Sequence, residues 1–297
     1  MNKKVIFSAR QNHMVIKQVI DLLKNNSEVD FTFHDPTKQF FNLSRMPKAF
    51  KEADLFIVKV RNDCSVDLLH FARINGIKCL HDVQTVSTCK NKIALDYALR
   101  KIFSQNRSKL GKFSLVQSWN QSAKKLDRFK KWGSPKLPIV IKSHSQHDKY
   151  NRFNFLVKKP EDFDTFHERY NHLIYYDVYI QKFIKCDAID RKIYVIGDKV
   201  FGIKRENPIY LYIRDKPLNI DVDTIEREEF KVSEEIRMLA NILSKELDLK
   251  IFGFDLIKPI DKDRYYLIDL NDFPGFKGIK NAEKILADYL FRSICFS

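Results

Sequence analysis

Glycine is scarce in this chain, with 8 residues in 297. A glycine-rich phosphate cradle has nowhere to sit, and neither G-x-x-x-x-G-K-[ST] nor G-x-G-x-x-G occurs. H-E-x-x-H and G-x-S-x-G are missing too, which removes the zinc-protease and serine-hydrolase signatures. The five cysteines, Cys64, Cys79, Cys89, Cys186 and Cys295, make no C-x-x-C. They read as small buried side chains in a reducing compartment. No apolar stretch approaches the ~18 residues of a membrane span, and MNKKVIFSAR offers no signal-peptide run. Internal repeats and low-complexity segments are absent. The expectation is a soluble, cytoplasmic protein with no membrane partner, and nothing demands more than a monomer.

What is present is a chain able to bury a core, 44% hydrophobic and 31% charged, with a formal net charge of +15. That charge is concentrated. Residues 89–159 hold 18 Lys+Arg against 3 Asp+Glu, and the remainder holds 35 of each sign. A neutral protein thus carries one cationic block, suited to nucleic acid, anionic lipid or a highly phosphorylated small molecule.

Hydrophobic periodicity predicts strands at residues 4–9, 30–34, 54–60 and 77–80, with helices at 13–24 and 65–75 between them. This alternation reads as a small open α/β unit with a mostly parallel sheet. A helix is predicted over 89–103 and a basic helix over 119–132. Strands follow at 137–142, 154–157, 176–180, 192–196 and 199–204, with a hairpin turn at Gly197-Asp198-Lys199 and a helix over 160–170. A helix at 233–247 has Ser233 as its N-cap, and strands at 252–257 and 265–270 precede a last helix at 282–291.

The last two strands carry the chemistry. Asp255 lies in IFGFDLI, and Asp269 and Asn271 lie in YYLIDLNDFPGFKGI. Residues i and i+2 of a strand share a face, so Asp269 and Asn271 project together. Antiparallel pairing brings Asp255 opposite them. Three convergent oxygen donors suit Mg²⁺, which takes hard oxygen ligands together with phosphate oxygens.

D-x-N-x-x-P-G after a G-x-D strand resembles the magnesium signature of the ATP-grasp superfamily. DLNDFPGFKGI is most similar to the inositol 1,3,4-trisphosphate 5/6-kinases, and the likeness can be followed over about residues 50–280. It implies an ATP-grasp α/β (α+β) fold: an N-terminal α/β subdomain (1–88), a central subdomain (89–184) and a C-terminal subdomain with the Mg²⁺ site (185–297). It implies ATP with one or two Mg²⁺ ions held by Asp255, Asp269 and Asn271. Lys142, in PIVIKSHSQH, stands at the family's ATP-phosphate lysine, and Arg205 at its phosphate arginine. Gln181, Phe183 and Ile184 resemble the hinge that receives adenine, and Lys90 and Lys92, in CKNK, its basic D-R-S-K, where the resemblance puts Lys90 on the nucleotide. Lys59, His147, Lys192 and Gly275 stand where the kinases bind the inositol phosphate, with Lys142, His147 and Arg205 closest to the catalysis.

The resemblance therefore implies a kinase that transfers the γ-phosphoryl group of ATP to an inositol polyphosphate, with no nucleic-acid partner. Such an acceptor also supplies a reason for the cationic block. The chain departs from the family at Lys90 (arginine there), Asp148 (glycine), Asn207 (serine), Asp272 (alanine) and Lys277 (glutamate). The alternative is a carboxylate–amine ligase similar to the ribosomal-protein glutamate ligases, whose D-I-R resembles Asp190-Arg191 here. Those ligases have a glycine-rich loop after the phosphate lysine, and residues 143–152 contain no glycine.

Overall fold

The computed structural model describes residues 2–11, 13–24, 29–60, 62–143, 153–174, 177–215, 221–222 and 224–295. Its first unit contains β1 (Lys3–Ser8), β2 (Val29–His34), β3 (Leu55–Val58) and β4 (Lys78–Leu80), with α1 (Met14–Lys24), α2 (Lys48–Lys51) and α3 (Asp63–Ile74) in the connections. The four strands run parallel in the order β2-β1-β3-β4. Parallel neighbours need crossover connections, which α1 and α3 supply by burying one apolar stripe each. On α1 that stripe is Ile16, Val19, Ile20 and Leu23. The loops after β1 and β3 thereby emerge at the carboxyl end of the sheet, where open parallel sheets bind their ligands.

The helix predicted over 89–103 is two helices, α4 (Val83–Lys90) and α5 (Lys92–Gln105). Asn91 breaks them: its backbone is extended, and its side chain accepts from the N–H groups of Ile93 and Ala94. An asparagine that caps the second helix ends the first. A short strand, β5 (Phe113–Leu115), follows.

The second sheet comprises β6 (Ser118–Ser122), β7 (Ile139–Lys142), β8 (Asn154–Val157) and β9 (Asp177–Lys182), antiparallel in the order β6-β9-β7-β8, with α6 (Leu126–Gly133) and α7 (Asp162–Tyr170). The basic helix predicted over 119–132 is therefore a strand followed by a shorter helix. Asn120 and Ser122 are poor helix formers, residues 120–122 pair with β9, and Trp119 packs edge-on against Trp132 at 6.0 Å.

The third sheet joins β10 (Ile189–Ile196), β11 (Lys199–Glu206), β12 (Glu228–Phe230), β13 (Ile251–Ile257) and β14 (Tyr265–Asp272), in the order β12-β11-β10-β13-β14-β5. It is antiparallel except for the β14–β5 edge. Three helices complete the chain: α8 (Pro208–Asp215), which periodicity did not predict, α9 (Glu234–Glu246) and α10 (Ala282–Cys295). Ser233 caps α9, accepting from the Ile236 N–H. Gly197 turns β10 into β11 at φ +61°, and a side chain there would meet the Tyr289 ring.

The apolar cores divide the molecule differently from the chain order. Helix α10 packs on α1, β1 and β10, so Phe7, Ile16 and Val19 share one core with Tyr194, Phe273, Phe276, Leu286 and Leu290. Leu95, Leu99 and Phe113, from α5 and β5, pack with α9 and the third sheet. Residues 89–184, expected as one central unit, thus contribute to two sheets. The second sheet keeps a core of its own, built from Phe129, Phe155, Phe163, Phe166 and Ile180. Among the described residues no helix is long and apolar enough to cross a membrane, and all five cysteines are free thiols.

Candidate functional site

Asp255 and Asp269 face each other across the β13–β14 ladder, and Asn271 lies opposite Gly253. The Asn271 amide donates to Asp269 Oδ2 at 2.9 Å, which ties the pair into one cluster. The ladder slips by one residue next to Asp255, leaving Ile268 without a partner. Such a bulge releases ladder groups for other uses. Here the Ile268 carbonyl accepts from the Lys142 ammonium at 3.1 Å, bringing the end of β7 across to the third sheet.

Cations crowd these carboxylates. Lys92 bonds Asp269, and Lys192 bonds Asp255 at 2.5 Å. Burial opposes the charge of Lys192, and Asp255 beside it holds its pKa above the ordinary lysine value. Burial would raise Asp269, but Lys92 and Lys142 hold it well below the usual carboxylate range. Lys142 is pulled down by burial to about 8, against the opposing pull of Asp269. Beside this cluster Asp190 is buried with Arg205 at 3.3 Å and with the Asn207 amide. Burial, and then the Asp255 charge, raise its pKa. The Nε of Arg205 is buried and finds no acceptor among the described residues.

Among the described residues no three His, Cys, Asp or Glu side chains converge as a metal cage. The donor set is two carboxylates and one amide oxygen, the partial oxygen shell that Mg²⁺ completes with phosphate oxygens and water. The residues present therefore fit Mg²⁺ delivered together with a nucleotide. The orphaned Arg205 Nε fits the same account, since an anionic oxygen would supply its missing acceptor.

A second cluster surrounds the turn that follows β14. The ammonium of Lys59, from the loop after β3, bonds the carbonyls of Phe273 and Pro274 and lies 5.3 Å from the Phe273 ring centroid. Burial and the neighbouring Lys90 lower its pKa to about 7. Lys90 pairs with the buried Asp272 at 2.6 Å. Phe273 and Phe276 both sit in the left-handed region, φ 40° and 54°, and both rings are buried. Packing holds this strained turn in shape. Gly275 faces the ring of His13, at the start of α1.

The structure thus brings together Asp255, Asp269, Asn271, Lys142, Lys192 and Arg205, and places Lys59 and Gly275 at the adjoining turn. Lys90, assigned to the nucleotide by resemblance, stands with Lys59 and Asp272 at that turn. Gln181 lies one residue before the end of β9, and its amide donates to the Tyr179 hydroxyl, which in turn bonds Asp96 of α5. The Phe183 N–H donates to the Pro138 carbonyl, and its ring packs 5.9 Å from Tyr210, with Ile184 next in the chain. His147 lies outside the described residues, as do His144 and Asp148.

Sequence reasoning gave His13 no role. It stands alone before a helix, with no motif around it. The ion-pair partners of Lys92 and Lys90, 177 and 182 positions away along the chain, were equally invisible. Two surface cavities, about 380 and 560 Å³, open at the amino-terminal edge of the first sheet and along β4. None of the residues just described lines them.

Comparison with known proteins shows what the chain is similar to. Residues 212–292 match the inositol 1,3,4-trisphosphate 5/6-kinase ATP-grasp domain. Inositol-tetrakisphosphate 1-kinase 1 of Oryza sativa subsp. indica is 30% identical over 129 residues, 37% of this chain and 36% of the kinase. Coenzyme gamma-F420-2:alpha-L-glutamate ligase of Methanocaldococcus jannaschii is 24% identical over 237 residues, 77% of this chain and 75% of the ligase. Two solved structures share the architecture. The RimK domain protein ATP-grasp from Sphaerobacter thermophilus has a TM-score of 0.70 at 13% identity, covering 96% of this chain and 98% of that one. The ATP-grasp ligase PsnB, solved with a minimal precursor, Mg and ADP, has a TM-score of 0.65 at 12% identity, covering 99% of both chains. The chain has the ATP-grasp fold, and its sequence is similar both to inositol kinases and to a glutamate ligase.

Proposed function

We propose that this ATP-grasp protein is an ATP- and Mg²⁺-dependent kinase that transfers the γ-phosphoryl group to a hydroxyl of an inositol polyphosphate. The observation that carries this reading is the second cationic cluster. Lys59 and Lys90 meet at the Pro274-Gly275 turn, next to the metal-binding strands and contributed by other parts of the chain. A nucleotide needs one set of cations. A second set beside it suits an acceptor that is itself strongly anionic.

In this reading the two halves divide the work. Lys142 and Arg205 bind the nucleotide phosphates, and the hinge at Gln181, Phe183 and Ile184 receives the base. Asp255, Asp269 and Asn271 would hold Mg²⁺, which when bound would offset the charge of the phosphates. Lys192 stands beside Asp255, where the phosphoryl group passes between donor and acceptor, and stabilises the charge spread over its oxygens. The acceptor oxygen forms the new P–O bond as the β–γ bridging bond breaks, and ADP leaves. Lys59 and Lys90 hold the acceptor phosphates, which fixes the hydroxyl in line.

The second reading is a carboxylate–amine ligase, supported by similarity to the archaeal glutamate ligase over three quarters of its length. The same nucleotide half would then phosphorylate a carboxylate, and an amine would displace the phosphate. ATP consumption with Mg²⁺, measured against inositol tris- to hexakisphosphates and separately against glutamate with amines, tests both. Phosphate recovered on an inositol phosphate supports the kinase. Inorganic phosphate released only when a carboxylate and an amine are both present overturns it in favour of the ligase.

A further inference from the structure

His13 sits at the junction of three elements, and its ring is fixed by two of them. Its carbonyl accepts the Lys17 N–H at 2.9 Å, the first bond of α1, and its Nδ1 accepts the Ile16 N–H at 3.5 Å. A ring nitrogen that accepts carries no proton, so the hydrogen of the neutral imidazole is on Nε2. That Nε2 faces the Pro274-Gly275 turn, 3.3 Å from where a Cβ on residue 275 would stand. A Cβ there would press the ring back by a few tenths of an ångström. Among the described residues Nε2 has no protein partner, and the His13 residue is partly exposed.

The surroundings define what this donor meets. Lys59, Lys277 and Arg10 face the imidazole from the loop after β3, from the turn and from its own loop. Burial first, and then Lys59 and Lys277, lower its pKa to about 4, so the ring is neutral at physiological pH. A neutral donor aimed into a cluster of cations adds directional binding of an anion without adding another like charge.

We propose that the Nε2–H of His13 donates a hydrogen bond to an anionic oxygen, phosphate or carboxylate, of the acceptor, and so helps select that acceptor from the N-terminal unit. The inference rests on the proposed site only in placing the acceptor at the Pro274-Gly275 turn. It holds for either acceptor chemistry.

Two substitutions separate the donor from the helix cap. His13→Asn keeps a side chain favoured at an N-cap but withdraws the donor from the turn. His13→Gln keeps the reach of Nε2 and weakens the cap. With the acceptor that the wild type uses, His13→Asn should raise its KM about tenfold with the KM for ATP and the Tm unchanged, and His13→Gln should recover most of the loss. An unchanged acceptor KM in His13→Asn overturns the proposal even where kinase activity is found. A raised KM for glutamate, in an enzyme inert towards inositol phosphates, upholds His13 while removing the kinase reading. Independently of turnover, the imidazole NMR signal missing from His13→Asn should shift in the wild type on adding inositol hexakisphosphate, glutamate or inorganic pyrophosphate. A signal unmoved by all three also overturns the proposal.

Discussion

Lys90 reaches across the fold to the buried carboxylate of Asp272 at 2.6 Å, joining two of the positions at which this chain differs from the kinases it resembles. Where those have arginine and alanine, this chain has an ion pair. The two departures are one change. The pair fixes the Lys90 ammonium at the turn, beside Lys59, where Asp272 offsets part of the charge that the two lysines present.

Breaking that pair from one side leaves a buried charge unmatched. Lys90→Ala should destabilise the fold by about 3 kcal/mol in urea unfolding, because it leaves the buried Asp272 without its ion-pair partner. Lys90→Ala with Asp272→Ala should recover most of this. Equal stability of the single and double variants would show that Asp272 does not depend on Lys90.

Asp269 is held ionised by Lys92 and Lys142 and is coupled to Asn271. Asp269→Ala should abolish ATP turnover, by roughly 10³-fold or more, while circular dichroism shows the fold retained. Turnover at the wild-type rate would remove Asp269 from the metal site.

Lys59 supplies a pH dependence whose sign follows from its lowered pKa, about 7. Below that pH the ammonium is charged before the acceptor arrives, and binding is strongest. Above it a proton must be taken up on binding, so acceptor affinity should fall by up to about tenfold per pH unit. Calorimetric titration from roughly pH 6 to pH 9 measures this, and Lys59→Arg, which stays protonated, should flatten the fall. The same slope in both proteins would mean that Lys59 does not touch the acceptor.

Lys192 bonds Asp255 and stands near Arg205 and Asp190. Lys192→Ala should lower kcat by about 10²-fold while moving the KM of ATP and of the acceptor little, the pattern of a contact made in the transition state. A rise in acceptor KM with kcat unchanged would instead place Lys192 on the bound acceptor alone.

Much of this was legible along the chain. The alternation of Tyr265 to Asn271 marks a strand whose polar residues share a face, and the observed ladder puts Asp255 opposite Asp269. The parallel first sheet follows from its strand–helix alternation, because helices must return the chain. Other features depend on contacts made far away. Asn91 breaks a helical pattern because its side chain caps the next helix, which composition cannot distinguish from an asparagine inside one. Asn120 to Ser122 become a strand only because β9 offers them an edge. The bulge at Ile268, which gives Lys142 its carbonyl, leaves no trace in the local pattern. His13 matters only through a turn formed more than 250 residues later.

The shared core of the first and third sheets has a consequence for how such proteins diversify. The residues proposed to hold phosphate and metal lie on paired strands inside the sheets, where a changed side chain meets neighbours on either hand. His13 and Lys59 sit instead just beyond the ends of β1 and β3, against the Pro274-Gly275 turn. A substitution at either position acts on that turn before it reaches the strands. In the proposed function, a change of acceptor therefore asks for new residues around the turn and leaves the nucleotide half in place.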